Sequence, residues 1–304
     1  MDRIENIAVF AEVAELGSFT AAARKLNRSA AAVTRAVAEL EARLGVRLLN
    51  RTTRAVSMTE AGQRFVAGAE RVLADLDEIE RAAAGQGEAP RGELRVTAPI
   101  AFGRLHVLPL VTGFLERFPE VVIRFALIDR PVDLVDEGFD VAIRIGELPD
   151  TSAIATRVGV VRRVVVAAPA YLDRRGRPDV PGDLAHHDII GFAGIDSVVR
   201  WNFTGDIETP IKPRLMVNTA EAAIDAATAG FGITRLLSYQ ANDALTHGTL
   251  VRLLREHEPP AIPIHLIYPD GRHPPPKLRA FIDHVAPLLR QRCERIARSL
   301  GDEA

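Results

Sequence analysis

The stretch from Ser18 to Arg54 constrains this chain more than any other, because it allows only two short helices, a tight turn and a basic hairpin. Phe19, Ala22, Ala23 and Leu26 fall on one side of a first helix, and Asn27-Arg28 breaks that spacing as a turn does. Ser29 is placed to cap a second helix, since its hydroxyl accepts from an amide that no helical carbonyl reaches. In that helix Val33, Val37, Leu40 and Leu44 form a core-facing stripe. Arg35 lies on the opposite side from Val33, with Ala31 close to it and Thr34 flanking. This face is small near its start and carries one cation. Small residues let a helix backbone approach base edges, and an arginine can make a two-pronged contact with guanine.

Gly45 fits the left-handed position that closes a helix. Val46 to Met58 then alternates apolar and basic residues around Thr52-Thr53, which predicts a two-stranded wing carrying Arg47, Arg51 and Arg54. Such arginines reach phosphates or enter a narrow minor groove. The whole stretch has the outline of a winged helix-turn-helix. Charge agrees: residues 1–58 hold nine Lys or Arg against six Asp or Glu, a net +3 in a chain whose total is -2. Between Arg24 and Arg54 eight cations face only Glu39 and Glu41, a density suited to neutralising phosphates. The plainer alternative is a solvated charged face on a small helical domain.

Three hundred and four residues at 47% hydrophobic composition suffice for two or three compact domains. A single cysteine, Cys293, excludes an intramolecular disulfide or a thiolate metal cluster within one subunit, and suits a reducing cytoplasm. The first residues lead into an amphipathic helix rather than an export signal, and no apolar run reaches the roughly 18 residues of a membrane span. A cytoplasmic location is expected, with no cofactor and no metal.

Ile4 to Leu16 forms the first helix, stopped by Gly17. Residues 1–59 then make the winged domain. A long helix over 60–84 follows, in which Phe65, Ala69, Val72, Leu76, Ile79 and Ala83 alternate steps of four and three, a heptad seam. At roughly 37 Å such a helix exceeds what one small domain covers, and it predicts dimerisation, which also suits paired DNA half-sites. Residues 85–92 are a polar, Gly/Pro-rich hinge.

From 93 to 304 strands and helices alternate, predicting a mostly parallel sheet covered by helices. The expected elements include a strand over 93–98, helices over 102–118 and 131–137, strands over 121–129 and 141–145, and a terminal helix over 277–299. Two α/β lobes result, one of about 93–160 with 266–304 and one of about 161–265, the chain crossing near 154–165 and returning near 264.

These residues resemble the LysR-type transcriptional regulators over essentially the full length. The resemblance rests on Phe10-x-x-Val13-x5-Ser18-Phe19-Thr20-Ala21-Ala22-Ala23-x-x-Leu26, Ser29-x3-Val33-Thr34-x6-Glu41, Leu44-Gly45-x-x-Leu48-Leu49-x-Arg51-Thr52 and Thr59-Glu60-Ala61-Gly62. Thr97 to Gly103 with Val132 to Arg144 is similar to the CrgA-like branch. The resemblance implies a winged helix-turn-helix, a dimerising linker helix and a two-lobe effector domain similar to periplasmic solute-binding proteins. It places Ser29, Ala30, Ala31, Thr34 and Arg35 at the DNA-approaching start of the recognition helix and Arg51 with Arg54 on the wing; Thr20, Arg24 and Arg28 are further candidate DNA contacts. Many relatives carry Gln-Pro or Ser-Pro after the capping serine. Here Ala30-Ala31-Ala32 follows, so base reading leans on thymine methyls, on Arg35 and on DNA shape.

If the lobes resemble solute-binding lobes, a small molecule sits between them, where strand ends and helix starts point backbone groups. Four corners qualify: Pro99, Ile100, Ala101 and Phe102, whose amides would hold an anion; Asp129 and Arg130; Arg144 with Gly146; and Asn218, Thr219 and Thr234. Arg144 either clamps a carboxylate or forms an internal salt bridge with Asp129 or Asp140. Trp201 and Cys293 read as packing, and His186-His187 as an exposed loop without further metal ligands at suitable spacing.

An enzyme gains little support, since no Gly-x-Ser-x-Gly elbow, His-Glu-x-x-His or phosphate loop occurs, and Gly230-Phe231-Gly232 has Arg235 where a dinucleotide fingerprint needs glycine. A solute-binding protein is the other rival for 92–304. The reading that results is a homo-oligomeric, effector-modulated regulator of promoter DNA, a dimer and, on DNA, a tetramer.

Overall fold

The computed structural model describes residues 2–51, 56–83, 89–148, 153–194, 199–270 and 274–301, in two compact units, Met1–Ala89 and Pro90–Ala304.

In the first unit, helix α1 (Arg3–Leu16) starts at the Asp2 cap and ends at Gly17, whose φ of 58° is left-handed. Helix α2 (Phe19–Lys25) is capped by Ser18, and α3 (Ala30–Leu44) by Ser29, whose hydroxyl accepts from the Ala32 amide at 3.2 Å. Asn27 takes the left-handed turn between them, which a short amide side chain tolerates. Phe10, Val13, Ala22, Val33, Ala36, Val37 and Leu40 are fully buried together. Removing Phe10 alone from water stabilises the unit by about 2–3 kcal/mol. Leu44, expected in that stripe, is instead 40% exposed, because the last turn of α3 runs past the core before Gly45 reverses the chain.

Strands β1 (Leu49–Arg51) and β2 (Val56–Met58) pair antiparallel as the wing. A carboxylate oxygen of Glu41 on α3 accepts from the Leu48 and Leu49 amides at 2.8 and 3.1 Å, fixing the wing to that helix. Thr59 caps helix α4 (Glu60–Ala83), accepting from the Gly62 amide at 3.0 Å and donating to the Arg47 carbonyl at 2.8 Å. There α4 meets the wing backbone so closely that a Cβ on Gly62 would stand 2.1 Å from the Leu48 carbonyl oxygen.

The second unit begins with β3 (Gly92–Ala98), helix α5 (Ile100–Phe102), a π-helical turn over Gly103–Val107 and α6 (Leu108–Arg117). Next come β4 (Val121–Leu127), β5 (Val141–Ile145), β6 (Ala153–Val161), β7 (Arg163–Ala167), α7 (Pro169–Arg175), β8 (Ile189–Phe192), β9 (Arg200–Asn202), β10 (Glu208–Pro210) and β11 (Pro213–Val217). The chain closes with α8 (Ala220–Thr228), β12 (Ile233–Leu237), α9 (Ser238–Thr246), β13 (Val251–Leu253), β14 (Ile262–Pro269) and α10 (Pro276–Ser299). One sheet has the order β4-β3-β5-β14-β6, the other β11-β8-β12-β7-β13. The chain passes from the first to the second between β6 and β7, and returns ahead of β14, so the whole of Ile262–Pro269 belongs to the first lobe.

Neither sheet is mostly parallel. In each, two strand pairs are parallel and two antiparallel, since β14 opposes β5 and β6, and β7 opposes β12 and β13. The opposed strands flank the crossings between lobes, where no local strand-helix-strand crossover dictates direction. The expected helix over 131–137 is also absent. Those residues form turns held by the Asp133 carboxylate, which accepts from the Val135 and Asp136 amides at 2.9 and 2.8 Å and so competes with helical bonding.

Candidate functional site

In the first unit the start of α3 is an open face. Thr20, Arg24, Arg28, Ser29, Ala30, Ala31, Thr34 and Arg35 are all exposed. Thr34 is exposed, and its hydroxyl donates to the Ala30 carbonyl at 2.8 Å. The side chains of Arg24 and Arg35 have no hydrogen-bond or ion-pair partner among the described residues. Arg28 is engaged, pairing with Glu5, and Lys25 pairs with Glu12 at 2.7 Å. The guanidinium of Arg28 holds the Glu5 carboxyl below the usual range. Of the wing, Thr52, Thr53 and Arg54 lie outside the described residues, as does the Arg51 side chain.

The seam on α4 is divided. Phe65 packs edge-on against Phe10 at 5.6 Å and Ala69 is 4% exposed in the same core, so both serve their own winged domain. Val72 is 53% exposed and Leu76 is half-buried; the side chains of Ile79 and Ala83 lie outside the described set.

In the second unit a cavity of about 200 Å³ lies between the lobes. It brings together seven of the expected residues, Pro99, Ile100, Ala101, Asp129, Gly146, Asn218 and Thr219. Four others stand elsewhere. Phe102 is fully buried beneath it, and Arg130 is clamped by Glu137 at 2.6 and 2.7 Å on the exposed turn. Thr234 is fully buried with its hydroxyl on the Ile190 carbonyl. Arg144 reaches inward, donating to the Ile128 carbonyl and to the Thr97 hydroxyl, each at 3.1 Å. The anticipated salt bridge is not formed among the described residues: the Arg144 guanidinium meets a fully buried threonine hydroxyl and a backbone carbonyl, and Asp129 acts on it only through space. Burial lowers its affinity for its proton, with Asp129 opposing.

The amide of Ile100 is not free for an anion either, because the Asp129 carboxylate accepts from it at 2.9 Å. The corner presents a carboxylate instead. On the other lobe Thr219 caps α8, its hydroxyl accepting from the Ala222 amide, while Asn218 is exposed and unpartnered among the described residues.

Several lining residues escaped the sequence reading, chiefly Glu221, Tyr239 and Gln240. The last two come from α9, whose signals were a glutamine at the third helical position, its Oε1 accepting from the Leu237 amide at 2.9 Å, and Gly248 just past its end. Leu237 and Tyr239 are buried in the core of the first lobe although the chain reaches them from the second. The Tyr239 ring meets Phe102 edge-on at 5.1 Å and His106 at 5.5 Å. Its phenol is held protonated well above its ordinary range, first by burial and also by the carboxylates of Asp129 and Glu221.

His106 completes this junction. Its Nε2 is buried with no hydrogen-bond partner among the described residues, and burial, with the Arg292 charge beside it, pushes its pKa down to about 4. A histidine depressed from 6.5 contributes stability that is present above 6.5 and lost as pH falls through 4. Acidification across that window is therefore expected to destabilise the second unit, with His106 supplying about 2–3 kcal/mol of the loss. Urea titrations at pH 7 and pH 4.5 check this: in His106→Phe the difference should shrink, and an undiminished difference assigns the acid sensitivity elsewhere.

Trp201 is buried, with the Arg235 guanidinium 5.0 Å over its ring, and His187 bonds the Tyr171 hydroxyl at 3.2 Å. Burial pushes the Cys293 thiol up to about 11. No group of three His, Cys, Asp or Glu among the described residues is placed to hold a metal ion, and no described helix is long and apolar enough to cross a membrane.

Two family models match the chain. A bacterial regulatory helix-turn-helix protein model, lysR family, covers residues 4–63, and a LysR substrate binding domain model covers residues 87–290. The chain is 34% identical to the HTH-type transcriptional regulator PtxR of Pseudomonas aeruginosa, over 97% of this chain and 96% of that one. It is 33% identical to the HTH-type transcriptional regulator CrgA of Neisseria meningitidis, over 94% and 96%. The solved structure of that LysR-type regulator matches with a TM-score of 0.60 at 31% identity, over 94% of this chain and 98% of that one.

Proposed function

We propose, from the premise that this chain belongs to the LysR family and is a DNA-binding transcriptional regulator with an effector-binding domain, that a small molecule in the cleft between its lobes sets how its heads act on promoter DNA. The observation that carries the DNA half is the exposed start of α3, where Ala30, Ala31 and Thr34 leave the backbone accessible and Arg35 stands unpartnered. Thr20, Arg24, Arg28 and Ser29 surround that face, with Arg51 and Arg54 on the wing as phosphate contacts. The cleft half rests on the cavity lined by Asp129, Gly146, Asn218 and Thr219. Effector acts by population shift, and must bind one arrangement of the assembly better than another.

The working unit is a homodimer joined through Val72, Leu76, Ile79 and Ala83, pairing as a tetramer on DNA in the cytoplasm. Val72 supports this, being a large apolar residue left 53% exposed on a long helix. Replacing Leu76 and Ile79 with lysine should convert dimers to monomers in light scattering; an unchanged mass removes the seam from the interface. Genome-wide mapping of bound DNA tests the regulatory reading as a whole. Discrete peaks at promoters, reproduced by mobility shift with purified protein, are expected, and uniform salt-sensitive binding without peaks would refute it.

A further inference from the structure

The two lobes meet at the cleft through contacts of different kinds. Tyr239 is fixed, buried at 4% exposure against Phe102 and His106. At the far end of α10, Ser299 donates to the Asn242 side chain at 2.7 Å, and Arg252, paired with Glu258 at 2.6 Å in near-complete burial, donates to the Leu300 carbonyl. The contact between Arg104 and Glu221 is unlike these. It joins the π-helical turn of the first lobe to the start of α8 in the second at 2.7 Å, with both side chains about half exposed. Exposed pairs of this kind contribute between about 0 and 1 kcal/mol, so small competitors can break them.

Only one partner of that pair faces the cavity. Glu221 lines it and Arg104 does not. The other ionised groups of the lining are Asp129, from the first lobe, and Arg163, which is itself partnered. Asp129 uses one oxygen on the Ile100 amide, and its second faces no donor among the described residues. Two carboxylates from opposite lobes against one guanidinium favour a positively charged occupant.

We infer that the Arg104–Glu221 pair is a latch across the effector cleft, and that the effector carries a cationic nitrogen which takes Glu221 from Arg104 and bridges it to Asp129. This rests on the cleft being the effector site. Breaking the pair exchanges one surface ion pair for a more enclosed one inside the cavity, which changes how the lobes are held without any bond being made or broken covalently. Regulation of the cleft then turns on one residue, Glu221, shared between the latch and the ligand.

Thermal-shift and calorimetric titrations on the full chain decide it, with 1,4-diaminobutane and agmatine as cationic probes and succinate and benzoate as anionic ones. A cationic probe should stabilise the wild type and lose at least tenfold in affinity in Glu221→Gln and in Asp129→Asn. In Arg104→Gln the same probe should bind about three- to fivefold tighter, because its competitor for the carboxylate is gone. A merely structural role for Arg104 would give weaker binding or none. Stabilisation by an anionic probe alone, reduced in Asn218→Ala, would overturn the cationic assignment and leave the cleft as the effector site. Binding of any probe that is indifferent to all the cleft variants would overturn both, and no stabilisation by either cationic probe overturns the latch inference.

Discussion

Replacing Gly62 with alanine is expected to cost the N-terminal unit roughly 2–4 kcal/mol, lowering its melting temperature by about 10–20 °C. The added methyl would stand 2.1 Å from the Leu48 carbonyl oxygen and 3.0 Å from the Leu48 carbonyl carbon, which are backbone atoms and cannot rotate away. Relief requires moving either α4 or the wing. The wing is tied to α3 by Glu41 and to α4 by Thr59, so the disturbance reaches the DNA-facing elements as well as the core. Calorimetry of the variant should show the N-terminal transition displaced and the other transition unmoved. Gly68→Ala is the control, because nothing lies within 4 Å of a methyl there and it replaces a glycine within the same helix. Equal melting of Gly62→Ala and wild type would show that α4 can retreat without penalty.

Replacing Arg35 with alanine is expected to weaken binding to a mapped operator by about 5- to 150-fold, the range for losing a two-pronged base contact. Binding to unrelated DNA should change far less, and the salt dependence should fall by at most about one counterion. Nothing in the first unit holds Arg35 back: it is exposed, opposite the buried Val33 and Val37, and has no partner among the described residues. Arg28 differs, being paired with Glu5, so its contact with a phosphate must first displace a carboxylate. Equal losses on operator and unrelated DNA in competition mobility shifts would make Arg35 a phosphate contact and leave base reading to Thr34 and the alanines.

The cleft was legible only in part, and for a reason visible in particular residues. Asp129, Asn218 and Thr219 announce themselves locally, at a strand end and at a helix cap. Arg144 ends a strand in the same way, yet its side chain turns to Thr97, a partner 47 positions distant and chosen by sheet register rather than by neighbouring sequence. Tyr239 and Gln240 went unseen because α9 is a nine-residue helix wedged after a buried strand, where apolar spacing is short and ambiguous.

The amino-acid sequence by itself determined what depends on residues within about four positions of one another. The Ser29 cap, the Gly17 and Gly45 helix stops, the buried face of α3 and the long helix over 60–83 all follow from spacing and local hydrogen bonding. With the family motif that rides on them, they identify a DNA-binding regulator. Tertiary structure alone decided which distant groups meet: Glu41 with the wing amides, Gly62 with Leu48, and Arg104 with Glu221 across 117 positions. It also decided that Phe65 and Ala69 serve their own domain rather than a partner helix. Helical periodicity states that a face must be covered, but many apolar surfaces satisfy it equally, and only the packed chain selects one.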